Sequence, residues 1–258
     1  MNIDVLISCM HQTDMSIARR SGLRSGAVIV NQCDRNTVEE QKTDGHIVRM
    51  FSTTERGLSR SRNMAIEKSI ADVCLISDDD ELYAADYVEK LQRAFSSYPK
   101  ADVILFQVGN DIGKTFSPKP FRVGYLSALK FCSWQIAFRR ESIVKAGIRF
   151  DVEMGSGTGH GSGEEIKFLY DCLHKGLVLQ YVPEEIAALI EGSASQWFNG
   201  FDRKYFINRG WATARYMGRF AAMLYACYFA VMKYSIYKKD SSFFTALHCM
   251  LKGIFTTL

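Results

Sequence analysis

Asp78, Asp79 and Asp80 follow one another directly after the apolar run Val73-Cys74-Leu75-Ile76 and Ser77. Like charges placed side by side repel, so a triplet at a strand end calls for a neutralising cation. Carboxylates are the hard oxygen ligands that Mg²⁺ and Mn²⁺ prefer, and such ions commonly bridge protein to phosphate oxygens. The carboxyl end of a strand is also where open α/β sheets bind their ligands. A solvated turn, with one Asp capping a helix that starts near Leu82, accounts for the same residues without a metal. A second acidic pair, Glu164-Glu165, opens a helix after Gly155, Gly157, Gly159, Gly161 and Gly163. A carboxylate there can take the proton of an attacking hydroxyl. Acids in the first turn are also favoured by the helix dipole alone. The glycines permit either a flexible loop or a backbone that approaches a ligand closely.

The elements that must position these groups follow from hydrophobic periodicity. Short apolar runs predict strands over 3–7, 27–30, 47–51, 73–76, 103–108 and 178–182, the last ended by Pro183. Helical spacing covers 58–69, 83–96 (Tyr87, Val88, Leu91 and Phe95 on one face), 143–146 and 164–175, where Gly176 stops the helix. The stretch 116–138 has no clear period. Strands alternating with helices imply an α/β class, a mainly parallel sheet flanked by helices.

The length of 258 residues fits one large α/β domain with an appendage, and 47% apolar residues exclude disorder over most of it. The seven cysteines are scattered, with no C-x-x-C pair, which argues against a zinc site or disulfide framework and for a reducing, cytoplasmic setting. No basic segment followed by an apolar one marks a signal peptide at the N-terminus. Net charge is only +4, but Arg203 to Lys239 contains no Asp or Glu and eight Lys or Arg. Within it, Phe220 to Met232 is almost wholly apolar, shorter than the about 20 residues a spanning helix needs. We read it as an interfacial helix on the anionic inner leaflet of the plasma membrane, with a buried core helix as the alternative. The expected division is a catalytic domain over 1–200 and a helical, basic and aromatic membrane-association region over 201–258. No nucleic-acid motif accompanies the basic charge, so nucleic acid is not an expected partner.

The motifs also stand in a telling order. Ser8 closes the first strand, and Asn31-Gln32 the second. The segment Arg56-Gly57-Leu58-Ser59-Arg60-Ser61-Arg62-Asn63 precedes the fourth strand and Asp78-Asp79-Asp80. In this order they resemble the inverting family 2 glycosyltransferases of the GT-A (Rossmann-like) fold, over about residues 3–200. Gly161-Ser162-Gly163-Glu164-Glu165 and Ser195-Gln196-Trp197-Phe198 look like the subgroup of bacterial capsule and O-antigen clusters. The resemblance implies transfer of a sugar from a nucleoside diphosphate sugar, UDP-linked, to a saccharide or lipid-linked saccharide acceptor with Mn²⁺ or Mg²⁺. It assigns Asp80 and Asp78 to the metal. Ser8, Asn31, Gln32, Gly57, Arg62, Asn63, Asp78 and Asp79 would line the nucleotide-sugar site, and Glu165, with Glu164 beside it, would supply the base. The sequence departs from the pattern where many such enzymes carry a metal-binding His after the last strand; Glu191 is the nearest candidate. His160 reads as a solvated loop histidine, with contact to an acceptor or phosphate as the alternative. Trp134 and Trp197 fit the core or a sugar-stacking role. A nucleotidyltransferase is disfavoured because Cys9 to Asp14 holds no glycine-rich, basic phosphate loop. A non-catalytic nucleotide-sugar scaffold at the membrane is opposed by the retention of both acidic groups.

Overall fold

The structure is a computed structural model that describes residues 1–43, 45–109, 115–190 and 200–256. Its first half comprises β1 (Ile3–Met10), α1 (Ser16–Arg20), β2 (Gly26–Gln32), β3 (Thr37–Thr43), β4 (His46–Thr53), α2 (Leu58–Lys68), β5 (Val73–Ser77), β6 (Glu81–Tyr83), α3 (Tyr87–Ser97) and β7 (Val103–Gln107). Then come β8 (Phe121–Arg122), α4 (Tyr125–Ala128), β9 (Ile136–Arg139), α5 (Arg140–Ala146), α6 (Glu164–His174), β10 (Leu179–Glu185) and β11 (Ala187–Leu189). Helices α7 (Arg203–Met217), α8 (Arg219–Met232), α9 (Tyr234–Tyr237) and α10 (Phe243–Phe255) follow.

The main sheet runs β3-β4-β2-β1-β5-β9-β7-β10-β8. Strands β4, β2, β1 and β5 are parallel, as are β7 and β10. From β1 the chain winds first toward β2 and β4, then back past β1 to β5. This switch opens a crevice outside the carboxyl ends of β1, β2 and β5, where doubly wound sheets bind ligands. Alternate residues of β1 feed opposite faces: Leu6 joins a core with Val28, Ile76, Phe138 and Phe168, while Val5 and Ile7 join one with Ile29, Leu75, Leu91 and Phe95. Both faces are apolar because helices cover both, which is why the central strands read as unbroken hydrophobic runs.

Several elements differ from the sequence reading. Strand β3 was not legible, because Thr37-Val38-Glu39-Glu40-Gln41-Lys42 is mostly polar. It pairs antiparallel with β4 at the sheet edge, where charged side chains discourage further pairing. Strand β9, in the stretch without a period, inserts antiparallel between β5 and β7. The helix expected from Tyr83 starts at Tyr87, because Glu81–Tyr83 instead pairs with β11 in a small second sheet. Strand β10 continues through Pro183, with a register shift between Val182 and Glu185.

Helix α7 belongs to two cores. Its Trp211, Ala212 and Tyr216 pack into the sheet core, while Phe206 and Ala214 pack with Ala226, Phe229, Tyr237 and Met250 of the helices that follow. Helices α7 and α10 meet backbone to backbone. A Cβ added at Gly210 would lie 2.0 Å from the Met250 carbonyl oxygen, and one at Gly253 would lie 2.0 Å from that of Ile207. Among the described residues no helix is long and apolar enough to cross a membrane. Because a backbone carbonyl cannot move aside cheaply, Gly210→Val should force α7 and α10 apart and destabilise the fold by about 1–3 kcal/mol or more. Thermal denaturation should show a lowered Tm, and an unchanged Tm would refute this packing.

Candidate active site

The crevice floor is built from buried polar side chains at the strand ends. Ser8 on β1 accepts a hydrogen bond from the Ser61 hydroxyl of α2 at 2.9 Å. Asn31 donates from Nδ2 to the Gln12 carbonyl (2.8 Å) and Ser52 Oγ (3.2 Å), while its Oδ1 accepts from Gln12 N–H (2.9 Å). It therefore clamps the loop after β1. Gln32 Oε1 accepts the Gly57 N–H at 2.7 Å. Gly57 caps α2 at φ 117°, a conformation that strains any side chain. The next N–H, of Leu58, donates to the Ser156 carbonyl at 2.9 Å, so the start of α2 is satisfied by Gln32 and the glycine loop in place of a capping side chain. Asn63 holds the backbone of Phe150 by two 2.8 Å bonds, Nδ2 to O and Oδ1 from N.

Arg62 occupies the centre of this arrangement. Its side chain is 1% exposed, and it donates to Asp78 Oδ1 at 2.7 Å and to Glu164 Oε1 at 2.8 Å. Phe150 packs against the guanidinium, 5.4 Å from the ring centroid. Burial works against the charge of Arg62, but the Asp78 and Glu164 carboxylates outweigh it and hold the group protonated, above its ordinary range. Asp78 Oδ2 accepts from Ser133 Oγ at 3.2 Å, so both of its oxygens are oriented. Glu81, fully buried behind the triplet, accepts from Ser77 Oγ (2.6 Å) and Asp78 N–H (2.9 Å). Burial and then the charge of Asp78 push its carboxyl well above the usual range, favouring the neutral acid. Asp79 is exposed at the rim; partial desolvation, and the adjacent Asp78 charge, raise its carboxyl too. Ile190 N–H donates to the Asp80 carbonyl at 2.8 Å and ties down the turn that carries the triplet. Sequence reasoning missed Glu81, Ser133 and the buried contacts of Arg62, since none carries a spacing signal.

Glu164 and Glu165 open α6 and diverge there. Glu164 is buried against Arg62, and Gly155 must lack a Cβ because one would lie 3.3 Å from Glu164 Cγ and Cδ. The glycine stretch is packed at both ends and open in the middle. Gly155, Gly157 and Gly163 have positive φ, a Cβ at Gly157 would lie 3.3 Å from Gly57 Cα, and Gly159 and Gly161 have no atom within 4 Å of where a Cβ would stand. Glu165 lines a cavity of ≈ 590 Å³ between this loop and α7, with Lys204, Asn208, Arg209, Tyr216 and Tyr225. His160 is no solvated loop residue. It stacks on Trp211 of α7 with ring centroids 3.5 Å apart, and desolvation there lowers its basicity despite a hydrogen bond with Asn208. Trp134 is a core residue. Glu191, Trp197 and Ser195–Phe198 lie outside the described residues.

Among the described residues no three His, Cys, Asp or Glu side chains form a cluster that would hold an ion unaided. The donor set does fit a Mg²⁺ or Mn²⁺ shared with a diphosphate, since such ions take one or two carboxylates and complete their shell from water and phosphate. The Asp78 oxygens keep lone pairs beyond their bonds to Arg62 and Ser133, and Asp80 offers a second carboxylate on the same tied turn.

Residues 14–154, more than half of the chain, match the model of glycosyl transferase family 2, so the chain belongs to that family and is a glycosyltransferase. No curated protein matches its sequence. Among solved structures, S. aureus TarS 1–349 is similar at 11% identity, over 93% of this chain and 74% of that one, with a TM-score of 0.61. Its complex with UDP-GlcNAc gives 0.64 over the same shares. The mannosyltransferase PcManGT from Pyrobaculum calidifontis, solved with GDP-Man and Mn²⁺, matches at 13% identity over 98% of this chain and 69% of that one, with a TM-score of 0.53. At such identities the likeness is one of fold, and that fold is GT-A.

Replacing Arg62 by Met leaves two buried or half-buried carboxylates without their counter-charge. A loss of about 3–5 kcal/mol is expected in urea unfolding. The double variant Arg62→Met with Glu164→Gln should recover part of that loss, because the more buried charge is gone. Equal stability of wild type and the single variant would show that the triad is not coupled.

Proposed function

We propose that the chain is an inverting, metal-dependent transferase that moves a sugar from a nucleoside diphosphate donor, UDP-linked, to a hydroxyl of a lipid-linked saccharide acceptor in bacterial surface polysaccharide synthesis. The observation that carries the reading is that one buried guanidinium joins the strand-end aspartate to the helix-start glutamate, with the neighbouring Glu165 turned to an open cavity. The donor lies over the carboxyl ends of β1, β2 and β5, with its diphosphate toward Asp78 and Asp80. The nucleotide sugars and Mn²⁺ in the similar solved structures support that donor class and ion. When bound, Mn²⁺ or Mg²⁺ on Asp80 and Asp78 neutralises the charge that grows on the leaving diphosphate.

The chain's own residues do the rest. Asp78 and Glu164 share a single buried arginine while Asp79, Asp80 and Glu165 add further acids nearby, so the site is anionic and favours a cation over a bare diphosphate. Arg62 fixes Asp78 and Glu164 relative to each other, which fixes the distance between donor and α6. Glu165 takes the proton of the acceptor hydroxyl as its oxygen attacks the anomeric carbon. The bond to the diphosphate breaks on the opposite face, so the anomeric configuration inverts. Glu165→Gln should retain nucleotide affinity and lose transfer by a factor of about 10²–10⁴. Asp80→Asn should lose metal-dependent nucleotide binding as well, measured by titration with UDP and Mn²⁺. Near wild-type turnover in either variant would reassign that residue.

The tail supports a peripheral membrane role. Along α8, Phe220, Leu224, Tyr228 and Val231 are exposed at helical spacing, and Ile236 and Phe244 extend the apolar surface. Arg219, Lys233, Lys238 and Lys239 surround it, all exposed. This pairing of apolar face and positive rim matches an anionic bilayer surface, to which each basic residue contributes about 1 kcal/mol. Full-length protein should sediment with phosphatidylserine-containing vesicles at low salt, and Leu224→Asp with Val231→Asp should abolish this without unfolding the chain. Failure of the wild type to sediment would discard the membrane role.

A further inference from the structure

Arg209, in the middle of α7, has no anionic partner among the described residues. Its Nη1 donates to the Tyr205 hydroxyl at 3.0 Å and its Nη2 to the Tyr225 hydroxyl at 2.5 Å. Its Nε is out of contact with solvent and has no partner. The guanidinium packs 4.3 Å from the centroid of Phe229 and 5.6 Å from that of Tyr225. Burial opposes its charge, and among the described residues only tyrosines, Tyr225, Tyr205 and Tyr216, stand around it to support the charge; no carboxylate pairs with it. Aromatic faces return less to a cation than desolvating one costs. Arg62, more deeply enclosed, has two carboxylates; Arg209 borders a cavity.

That cavity is the one Glu165 lines, and Tyr216 feels both the Arg209 and the Glu165 charges. Lys204 also lines it, while the one other acid on its wall among the described residues, Asp202, caps α7 by accepting the Tyr205 N–H at 2.7 Å. Among the described residues one N–H on each of Nη1 and Nη2 is unclaimed, and the Tyr225 hydroxyl, which accepts from Nη2, keeps its own hydrogen to donate. Such a fan of donors suits the several oxygens of a phosphate group.

We propose that the cavity between the glycine loop and α7 is the acceptor subsite and that Arg209, with Lys204 and Tyr225, binds a phosphate group carried by the acceptor. The assignment of the cavity to the acceptor rests on Glu165 as base; the phosphate site does not. The phosphate comes either from the saccharide chain, as a phosphodiester or sugar phosphate, or from the diphosphate of a lipid carrier. Bound at Arg209, it would hold the acceptor hydroxyl toward Glu165 and leave the donor side to the metal site.

The test uses the full chain, saturated with UDP and Mg²⁺ to fill the donor site, and titrates inorganic phosphate by calorimetry. Wild type is expected to bind phosphate. Arg209→Met should weaken that binding by about tenfold or more, a loss expected for hydrogen bonds to a charged group, with UDP affinity unchanged. Arg209→Lys should recover part of it. If Arg209→Met fails to fold, Lys204→Met and Tyr225→Phe read the same site, each with a smaller loss. Absence of phosphate binding to wild type, or equal binding by all variants, overturns the proposal. If UDP does not bind, the donor reading fails by itself, and the phosphate titration on the nucleotide-free protein still decides this one. Glycerol 3-phosphate and a prenyl diphosphate in detergent micelles then separate the sources. Competition by the first alone places the phosphate in the saccharide chain, and at least tenfold tighter, Arg209-dependent binding of the second places it on the lipid.

Discussion

The structure depends on one buried cation. Arg62 on α2 is enclosed by protein, and enclosing an unpaired guanidinium costs several kcal/mol, so its two carboxylate partners are obligatory. Those partners come from the end of β5 and the start of α6, and the distances between them are thereby set by bonds of 2.7 and 2.8 Å. Everything else around the crevice serves to keep that triad in register. Ser133 and Glu81 hold Asp78 from the sheet side, and the glycine loop lets Glu164 reach Arg62 from the other. Acidic groups carried on one strand end and on a distant helix keep a fixed separation only through such a rigid link, and in an enzyme site misplacement by about 1 Å can cost 10²-fold in rate.

Close backbone approach is the second recurring device. Glycines at 57, 155 and 157 bring the loop before α6 onto the start of α2, and Gly210 and Gly253 bring α10 onto α7. At Gly210 and Gly253 a methyl group would collide with backbone oxygens, at Gly155 and Gly157 it would be tightly crowded, and at Gly57 the positive φ is what favours glycine. The consequence is that α7 is locked both to the sheet core, through Trp211 and Tyr216, and to the tail helices, through Phe206. The ion pair of Arg215 with Asp151 and the stacking of His160 on Trp211 add to that union. The tail is therefore a wall of the cavity that Glu165 lines as well as the carrier of an exposed apolar face.

Charge is segregated in the same way. The crevice gathers carboxylates around one arginine, whereas the charged residues from Arg203 to Lys239 are all basic. The two meet in the cavity, where Glu165 and Arg209 share a wall. Such a field favours a cation in the crevice and an anion at the tail side.

The sequence by itself determined the class of sheet, because buried parallel strands must be apolar throughout and their helices must show a 3.6-residue period. It also determined where the acids would gather: an aspartate triplet at the end of an apolar run and a glutamate pair after glycines mark strand and helix ends locally. What only the tertiary structure decided were relations across the chain. The pairing of Arg62 with Glu164, 102 residues away, leaves no trace in spacing. The internal bonds of Asn31, Gln32 and Asn63 depend on which neighbours the fold brings within reach. Strand β3 is too polar to announce itself and exists because β4 offers an edge. His160 looked like a loop residue because its partner Trp211 lies on a helix that folds back over the loop. Local periodicity encodes elements; the contacts that turn elements into a site are long-range, and only packing chooses them.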